Sequence, residues 1–184
     1  MSTQKSVRML TEGALFIAMA LVLGLIKVFE LPQAGAVSLE MLPLFLFCLR
    51  WGVGPGFLGC TAFGILQVFL QGAISWGWVS ILLDYVVAFA VLGISGLGKG
   101  KPGGIFWGSV LGALARFAVH FVSGVTIYRI VAPTALFGTV FDNPYLYSAV
   151  YNGSYMLIDT VLCLIIFALL NAPLGKYLRG EDLQ

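Results

Sequence analysis

Long apolar stretches, separated by short polar segments, run along almost the whole chain. A helix that crosses the hydrocarbon core of a bilayer needs roughly 20 mostly apolar residues. All but one of the stretches approach this length, and the second is shorter. The pattern therefore predicts six membrane-spanning helices, over residues 9–29, 37–50, 52–71, 78–97, 104–127 and 148–172.

Two prolines fall in the region where the pattern is least regular. Pro43 lies inside the short second stretch, and Pro55 lies near the start of the third. Proline interrupts the hydrogen-bond ladder of a helix and commonly kinks it. We therefore expect the second and third helices to be tilted or locally distorted.

Composition supports a membrane protein. Hydrophobic residues make up 60% of the 184 residues and charged residues only 10%, whereas soluble domains carry roughly 25% charged residues. The length suits one compact bundle, so we expect a single all-α domain over residues 1–184. The net charge of +2 is small and no run of Lys and Arg exists to grip phosphates, which argues against nucleic acid as a partner.

Lysine and arginine residues indicate the orientation. Most of them lie on one side of the predicted helices: Lys5, Arg8, Arg50, Lys99, Lys101, Lys176 and Arg179. The opposite side carries only Arg129 and Lys27. By the positive-inside rule both termini lie in the cytoplasm, and an even number of crossings agrees. The outer connections are then 30–36, 72–77 and 128–147, and the last is long enough to form a structured cap.

Four ionisable residues interrupt the predicted spans: Asp84, Arg116, His120 and Asp159. A charged side chain at the centre of a bilayer costs roughly 2.5 to 3.5 kcal/mol on insertion scales. Residues of this kind usually face a polar interior and mark a functional site. They are therefore the first candidates for a binding site.

Depth along the helices brings several of these groups to one level. With a rise of about 1.5 Å per residue, Asp84 lies about 9 Å from the outer end of its span and His120 about 10 Å. Asn152 lies about 6 Å from the outer end of the sixth span. Polar groups on three helices at a common height predict a pocket that opens outward.

Helical spacing then places polar and aromatic residues on one face of each of the last two predicted helices. Residues four apart form one stripe on each of the last two helices: Arg116, His120, Gly124 and Tyr128, and Tyr147, Tyr151, Tyr155 and Asp159. Aromatic faces attract cations and carboxylates accept hydrogen bonds from amino groups. The pattern favours a flat, nitrogen-rich cation as ligand, and Gly124 is expected to leave room for it.

Several alternatives stay open at this point. Arg116 could pair with Asp84 or with Glu40, and His120 could be a buried histidine with a purely structural role. The sequence has no HExxH, GxSxG, Walker A or dinucleotide-binding motif, and its cysteines form no CxxC pair. We therefore expect no enzyme, metal or cofactor, although a membrane enzyme using His120 and Asp159 is an alternative.

Small residues at four-residue spacing form a third pattern. They occur as Ala14 and Ala18 on the first span, and also as Gly56, Cys60 and Gly64 and as Gly108 and Gly112. Such rows let helices approach closely in lipid, either within the bundle or against a partner. The first span is the best candidate for a partner surface because it is nearly free of charge.

Three stretches resemble one known family: LLDYVVAFAVLGISG at 82–96, RFAVHFVSG at 116–124 and NPYLYSAVYNGSYM at 143–156. A fourth, RWGVGPGFLG at 50–59, also resembles it. Over nearly its whole length the chain resembles the thiamine-binding S components of energy-coupling factor (ECF) vitamin transporters. The resemblance implies six transmembrane helices in a bacterial cell membrane and a substrate site near the outer face.

The resemblance also implies site residues. Family positions that bind thiamine match Asp84, Tyr85, His120, Gly124, Tyr128, Tyr147 and Asn152. The best-studied pattern has Glu at the place of Asp84 and has tryptophans in the first outer loop and after the fifth helix. This chain has Ala36 near the first of those places and Tyr128 at the second, so Trp76 or Trp78 could supply an aromatic wall.

Partners are implied in the same way. The AxxxA motif of the family resembles Ala14 and Ala18, and it implies docking onto a membrane coupling subunit that works with two cytoplasmic ATPases. ATP would be hydrolysed by those partners alone. An S component for a different small vitamin is the nearest alternative.

Overall fold

A computed structural model describes residues 3–31, 35–70, 77–128 and 135–183, except for the side chains of residues 127 and 128. The described chain forms six main helices: α1 (Thr3–Leu25), α2 (Met41–Trp51), α3 (Val53–Leu70), α4 (Trp78–Gly98), α5 (Gly104–Tyr128) and α6 (Pro144–Leu178). All except α2 are long and apolar enough to cross a membrane. The predicted all-α architecture of six helices is confirmed. An antiparallel hairpin of β1 (Phe29–Glu30) and β2 (Ala36–Val37) precedes α2, and a short 3₁₀ turn (Glu181–Leu183) follows α6.

The second crossing is only partly helical, which corrects the predicted span 37–50. With 11 residues, α2 is about 16 Å long, well short of the roughly 30 Å hydrocarbon core. The chain before it runs along α6, where the Gly35 N–H donates to Tyr151 Oη at 2.9 Å and the Ser38 N–H donates to Asp159 Oδ1 at 2.9 Å. Irregular backbone is tolerated at membrane depth when protein groups satisfy it.

The two prolines mark helix starts instead of kinks. Pro43 lies in the first turn of α2, and Pro55 lies in the first turn of α3. The first turn of a helix has no use for the N–H group that proline lacks, so proline is tolerated there. The second span is irregular as expected, but the irregularity lies before α2 and not at Pro43, and α3 continues unbroken past Pro55.

The backbone of α4 changes its winding twice. After an α-helical turn, residues Ile81–Val87 form a π-helix, and after Ala88–Ala90 the helix tightens into a 3₁₀ segment, Val91–Gly98. π-Helical turns are rare and occur frequently at functional sites. Here the π-segment contains Asp84 and Tyr85.

The beginning of α6 lies four residues before the predicted span. Asn143 caps the helix, because its side-chain Oδ1 accepts from the backbone N–H of Tyr145 at 2.9 Å and of Leu146 at 3.3 Å. Pro144 occupies the first helical position, where its fixed φ suits the helix. The cap brings Tyr147 into the regular part of α6.

The predicted rows of small residues pack inside the bundle on α3 and α5, whereas the row on α1 does not. A Cβ atom added at Gly64 would lie 2.3 Å from the Tyr85 carbonyl oxygen, and one at Gly108 would lie 2.7 Å from the Ser95 carbonyl oxygen. On α1, by contrast, Ala14 and Ala18 are exposed, and the buried small residues are Gly13, which packs against Phe47 of α2, Ala20 and Gly24. The row of Ala14 and Ala18 on α1 is therefore available for contact with another protein.

A cluster of ion pairs ties both termini to the same end of the bundle. Arg50 at the end of α2 donates to Glu12 Oε2 at 2.9 Å and to Asp182 Oδ1 at 3.0 Å, and Arg8 also pairs with Asp182. Lys99 donates to the Trp51 carbonyl at 3.2 Å at this end as well. The residues expected in the cytoplasm are thus grouped together, and the side of the membrane on which they lie stays a prediction.

Candidate functional site

A buried chain of hydrogen bonds joins α4 to α5 at the end opposite to the termini. Ser80 Oγ donates to Asp84 Oδ2 at 2.6 Å, and Asp84 Oδ1 lies 3.2 Å from His120 Nδ1. His120 Nε2 in turn accepts from Arg116 Nε at 3.3 Å. Asp84 and His120, predicted to share one level from their depths along the helices, are therefore in direct contact.

Arg116 forms its ion pair with Glu40 and not with Asp84. Its Nη2 lies 3.0 Å from Glu40 Oε1, and Gln67 Nε2 donates to the other oxygen of the same carboxylate at 2.8 Å. The guanidinium also lies over the ring of Phe89, 4.0 Å from the ring centroid. Of the two pairings left open by the sequence, the structure has the second.

Among the residues that the structure describes, the site holds more acidic than basic groups. Asp159 is 2% exposed and lies within electrostatic reach of Arg116 and Glu40. With Glu40 and Asp84, the described part of the site contains three carboxyl groups and one guanidinium, that of Arg116. Because charges interact strongly in a site that is shielded from water, this arrangement attracts a cation.

Asn152 joins α5 to α6 beside this chain of hydrogen bonds. Its Nδ2 donates to the His120 carbonyl at 3.1 Å and to the Ser148 carbonyl at 3.0 Å, while its Oδ1 accepts from Tyr155 Oη at 3.1 Å. Both ends of the amide are therefore used within the protein. Asn152 holds the carbonyl end of the His120 residue in place, and a ligand would have to displace one of these bonds to contact it.

Gly124 does not leave the space that the sequence suggested. A Cβ atom added there would lie 2.4 Å from Ser148 Oγ and 3.0 Å from Asn152 Nδ2. The expected room for a flat ligand is instead filled by α6. The glycine allows α5 and α6 to approach closely just above His120.

A column of tyrosines on α6 forms an aromatic wall. The rings of Tyr147 and Tyr151 stack at 5.8 Å with an interplanar angle of 18°, and Tyr155 follows edge-on at 6.0 Å. The column is buried beneath Leu31, Val37 and Leu136. The Tyr151 hydroxyl accepts from the Gly35 N–H, so this residue also anchors the connection between α1 and α2.

The other aromatic residues predicted to line the site do not join this column. Tyr85 is partly buried beside Asp84, with its carbonyl packed on Gly64. The side chain of Tyr128 and the whole of Trp76 lie outside the described residues. The Trp78 side chain is 75% exposed, so it does not pack into the site in place of the tryptophans of the family pattern.

Sequence reasoning missed two serines of the site. Ser80 lies four residues before Asp84, and Ser123 lies three residues after His120, spacings that place each pair on one helix face. Ser123 is 1% exposed, and its hydroxyl lies near the Asp84 carboxylate without a well-formed hydrogen bond to any described residue. A buried hydroxyl that lacks a well-formed hydrogen bond and lies beside the candidate carboxylate is a candidate contact for a ligand.

The described residues contain no group of three or more His, Cys, Asp or Glu side chains arranged to hold a metal ion. The fold and the site together define a multi-pass α-helical membrane protein with a buried, carboxylate-rich and aromatic candidate site at one end.

Comparison with known proteins identifies the family. The profile of the thiamine transporter protein family (Thia_YuaJ) matches residues 10–178. The chain is 32% identical to the thiamine transporter ThiT of Bacillus subtilis, over 98% of this chain and 99% of that protein. It is 28% identical to ThiT of Lacticaseibacillus paracasei, over 99% and 96% of the two chains. The chain belongs to the thiamine transporter family, which confirms the resemblance seen in the sequence.

A solved structure agrees with this assignment at the level of the fold. ThiT from Listeria monocytogenes superposes with a TM-score of 0.81 over 95% of this chain and 98% of that chain, at 24% identity. The family is one of transporters, so the alternative of a membrane enzyme using His120 and Asp159 is set aside. A multi-pass bacterial membrane location follows from the family and the apolar helices.

Proposed function

We propose that this chain captures thiamine at the outer face of the membrane, as the substrate-specificity subunit of an ECF-type importer. The observation that carries the proposal is the excess of carboxyl groups in a buried site lined by tyrosines, in a chain whose relatives are named thiamine transporters. Thiamine is a flat, nitrogen-rich cation, and Asp84 is the carboxylate best placed to meet it. Its side chain is 20% exposed, whereas that of Glu40 is 11% exposed and held by Arg116.

The proposed contacts divide by chemistry. Asp84 provides the anionic acceptor, the Ser123 hydroxyl a neutral partner, and Tyr85 and Tyr147 the aromatic faces. Gly124 and Asn152 act in this proposal by setting the distance between α5 and α6. Tyr128 remains a predicted contact on the basis of the family resemblance.

Calorimetry on detergent-purified protein tests whether thiamine is the ligand. We expect thiamine to bind and Asp84→Asn to weaken binding at least tenfold, which corresponds to about 1.4 kcal/mol. Asp142→Asn is the matched control, since Asp142 is an exposed residue close to the start of α6 and undergoes the same chemical change. Equal affinity of the wild type and Asp84→Asn would refute the site. Binding of another vitamin in preference to thiamine would favour the alternative S component.

The partner surface is proposed on α1. Ala14 and Ala18 are exposed there, and they lie among apolar side chains that are also exposed, including Leu15 at 60% and Met19 at 51%. A helix face of small residues suits close docking of another membrane helix. We propose that a membrane coupling subunit, working with two cytoplasmic ATPases, docks on this face, and that ATP is used by those partners alone.

A bulky substitution tests this surface separately from ligand binding. Ala14→Trp combined with Ala18→Trp should abolish thiamine uptake by cells that contain an ECF module, while calorimetry still detects thiamine binding. Leu169→Trp is the control, because Leu169 is 70% exposed on α6 and far along the chain from the proposed surface. Undiminished uptake by the double variant would argue against docking at α1.

A further inference from the structure

The chain contains a single histidine, and both nitrogens of its ring are engaged by protein groups. Arg116 Nε lies 3.3 Å from Nε2, and Asp84 Oδ1 lies 3.2 Å from Nδ1. His120 itself is 8% exposed. Its ring is therefore held between one cation and one anion inside the bundle.

The chemistry of the two partners leaves one arrangement of protons. A guanidinium N–H can only donate, so Nε2 must present its lone pair to Arg116. A carboxylate can only accept, so Nδ1 must carry the hydrogen that points at Asp84. The imidazole is consequently neutral, with its hydrogen on Nδ1. A neutral imidazole free in water favours the opposite tautomer, so the protein must impose this one.

We infer that Arg116 is a positioning residue, which fixes the tautomer and orientation of His120 from the side away from Asp84. Arg116 is itself fixed by its ion pair with Glu40, by Gln67 on the far side of that carboxylate, and by the ring of Phe89. Such outer partners commonly decide which ring nitrogen of a histidine is protonated. Arg116 thus acts on the site without touching the ligand.

The consequence of this inference for ligand binding rests on the proposed function. With both nitrogens occupied, His120 offers a ligand only its ring face and C–H edges. The Nδ1–H bond to Asp84 holds one carboxylate oxygen in place, and the second oxygen accepts from Ser80. Asp84 is therefore held in a fixed position as the anion that meets the cation.

Nitrogen NMR on protein labelled with ¹⁵N-histidine tests the inference directly, because the single histidine gives one imidazole. Long-range proton–nitrogen correlations at mildly alkaline pH, without ligand, should show the hydrogen on Nδ1. The same tautomer should persist in Asp84→Ala, since Arg116 still requires the lone pair on Nε2. A hydrogen on Nε2 in either protein would overturn the role of Arg116.

A paired substitution tests the consequence for binding. Glu40→Gln combined with Arg116→Met removes one negative and one positive group, so the net charge of the site is unchanged and no buried charge is left unpaired. We expect this variant to bind thiamine about tenfold more weakly, and unchanged affinity would contradict positioning by Arg116. If the variant does not fold, the spectra of the wild type and Asp84→Ala still decide the tautomer. If the tautomer is as inferred but wild-type protein does not bind thiamine, the proposed function alone fails.

Discussion

Gly124 distinguishes packing from ligand binding, because the sequence and the structure assign it different roles. An open position beside the ligand would make Gly124→Ala lower affinity without affecting folding. In the structure the new methyl group would instead lie 2.4 Å from Ser148 Oγ. Contacts below about 3 Å are far inside ordinary van der Waals distance, so either α6 or the Ser148 side chain must move.

The expected change in the free energy of unfolding of Gly124→Ala combines opposing contributions. Overpacking of a close helix contact costs about 1–3 kcal/mol. Rotation of Ser148 away from the methyl group would break its hydrogen bond to the Phe121 carbonyl, 2.8 Å long, and such a bond contributes about 1 kcal/mol. Replacement of glycine by alanine within a helix gains about 1 kcal/mol. The net destabilisation is therefore about 1 kcal/mol, small enough for the variant to fold.

A double-mutant cycle isolates the steric term from helix propensity. We expect Gly124→Ala to be less destabilising in a Ser148→Ala background, where the nearest obstructing atom is absent, and the coupling free energy to be about 1 kcal/mol. Reversible unfolding in mixed micelles of sodium dodecyl sulfate measures each free energy. Calorimetry with thiamine on the same four proteins reports affinity.

Two results would refute this reasoning. A coupling free energy near zero would mean that Gly124 and Ser148 do not pack as the structure has them. Lost thiamine binding in Gly124→Ala, with the free energy of unfolding unchanged, would restore the interpretation in which the glycine makes room for the ligand.

Three further predictions concern residues around the same site. Asp159→Asn keeps an oxygen that can accept from the Ser38 N–H, so we expect thermal stability to be nearly unchanged and thiamine affinity to fall less than in Asp84→Asn; the reverse order of affinities would contradict the leading role of Asp84. Ser123→Ala removes a hydroxyl that lies near the Asp84 carboxylate without a well-formed hydrogen bond to a described residue, so the melting temperature should change little while thiamine binding weakens severalfold; full affinity would exclude Ser123 as a contact. Asn143→Ala removes the cap of α6 and should cost about 1 kcal/mol in the unfolding assay, whereas Asn143→Ser, which can still cap, should cost much less.

The sequence by itself determined the class of the protein and much of the site. Apolar stretches of bilayer length can only be satisfied as helices in a membrane, because lipid offers no hydrogen bonds to an unpaired backbone. For the same reason ionisable residues within those stretches must face inward, and helical rise alone placed Asp84 and His120 at one level. Proximity of these two side chains could therefore be predicted without a structure.

The tertiary structure decided what each polar group does. Helical periodicity is a property of one segment, and it contains no information about which neighbour a side chain meets across the bundle. The pairing of Arg116 with Glu40, the filling of the space at Gly124 by Ser148 and the use of the Asn152 amide within the protein all depend on contacts between separate helices. The sequence indicated distortion of the second span but not its place or form, since the hydrogen bonds of the irregular segment before α2 are made to α6 and not to its own neighbours in sequence.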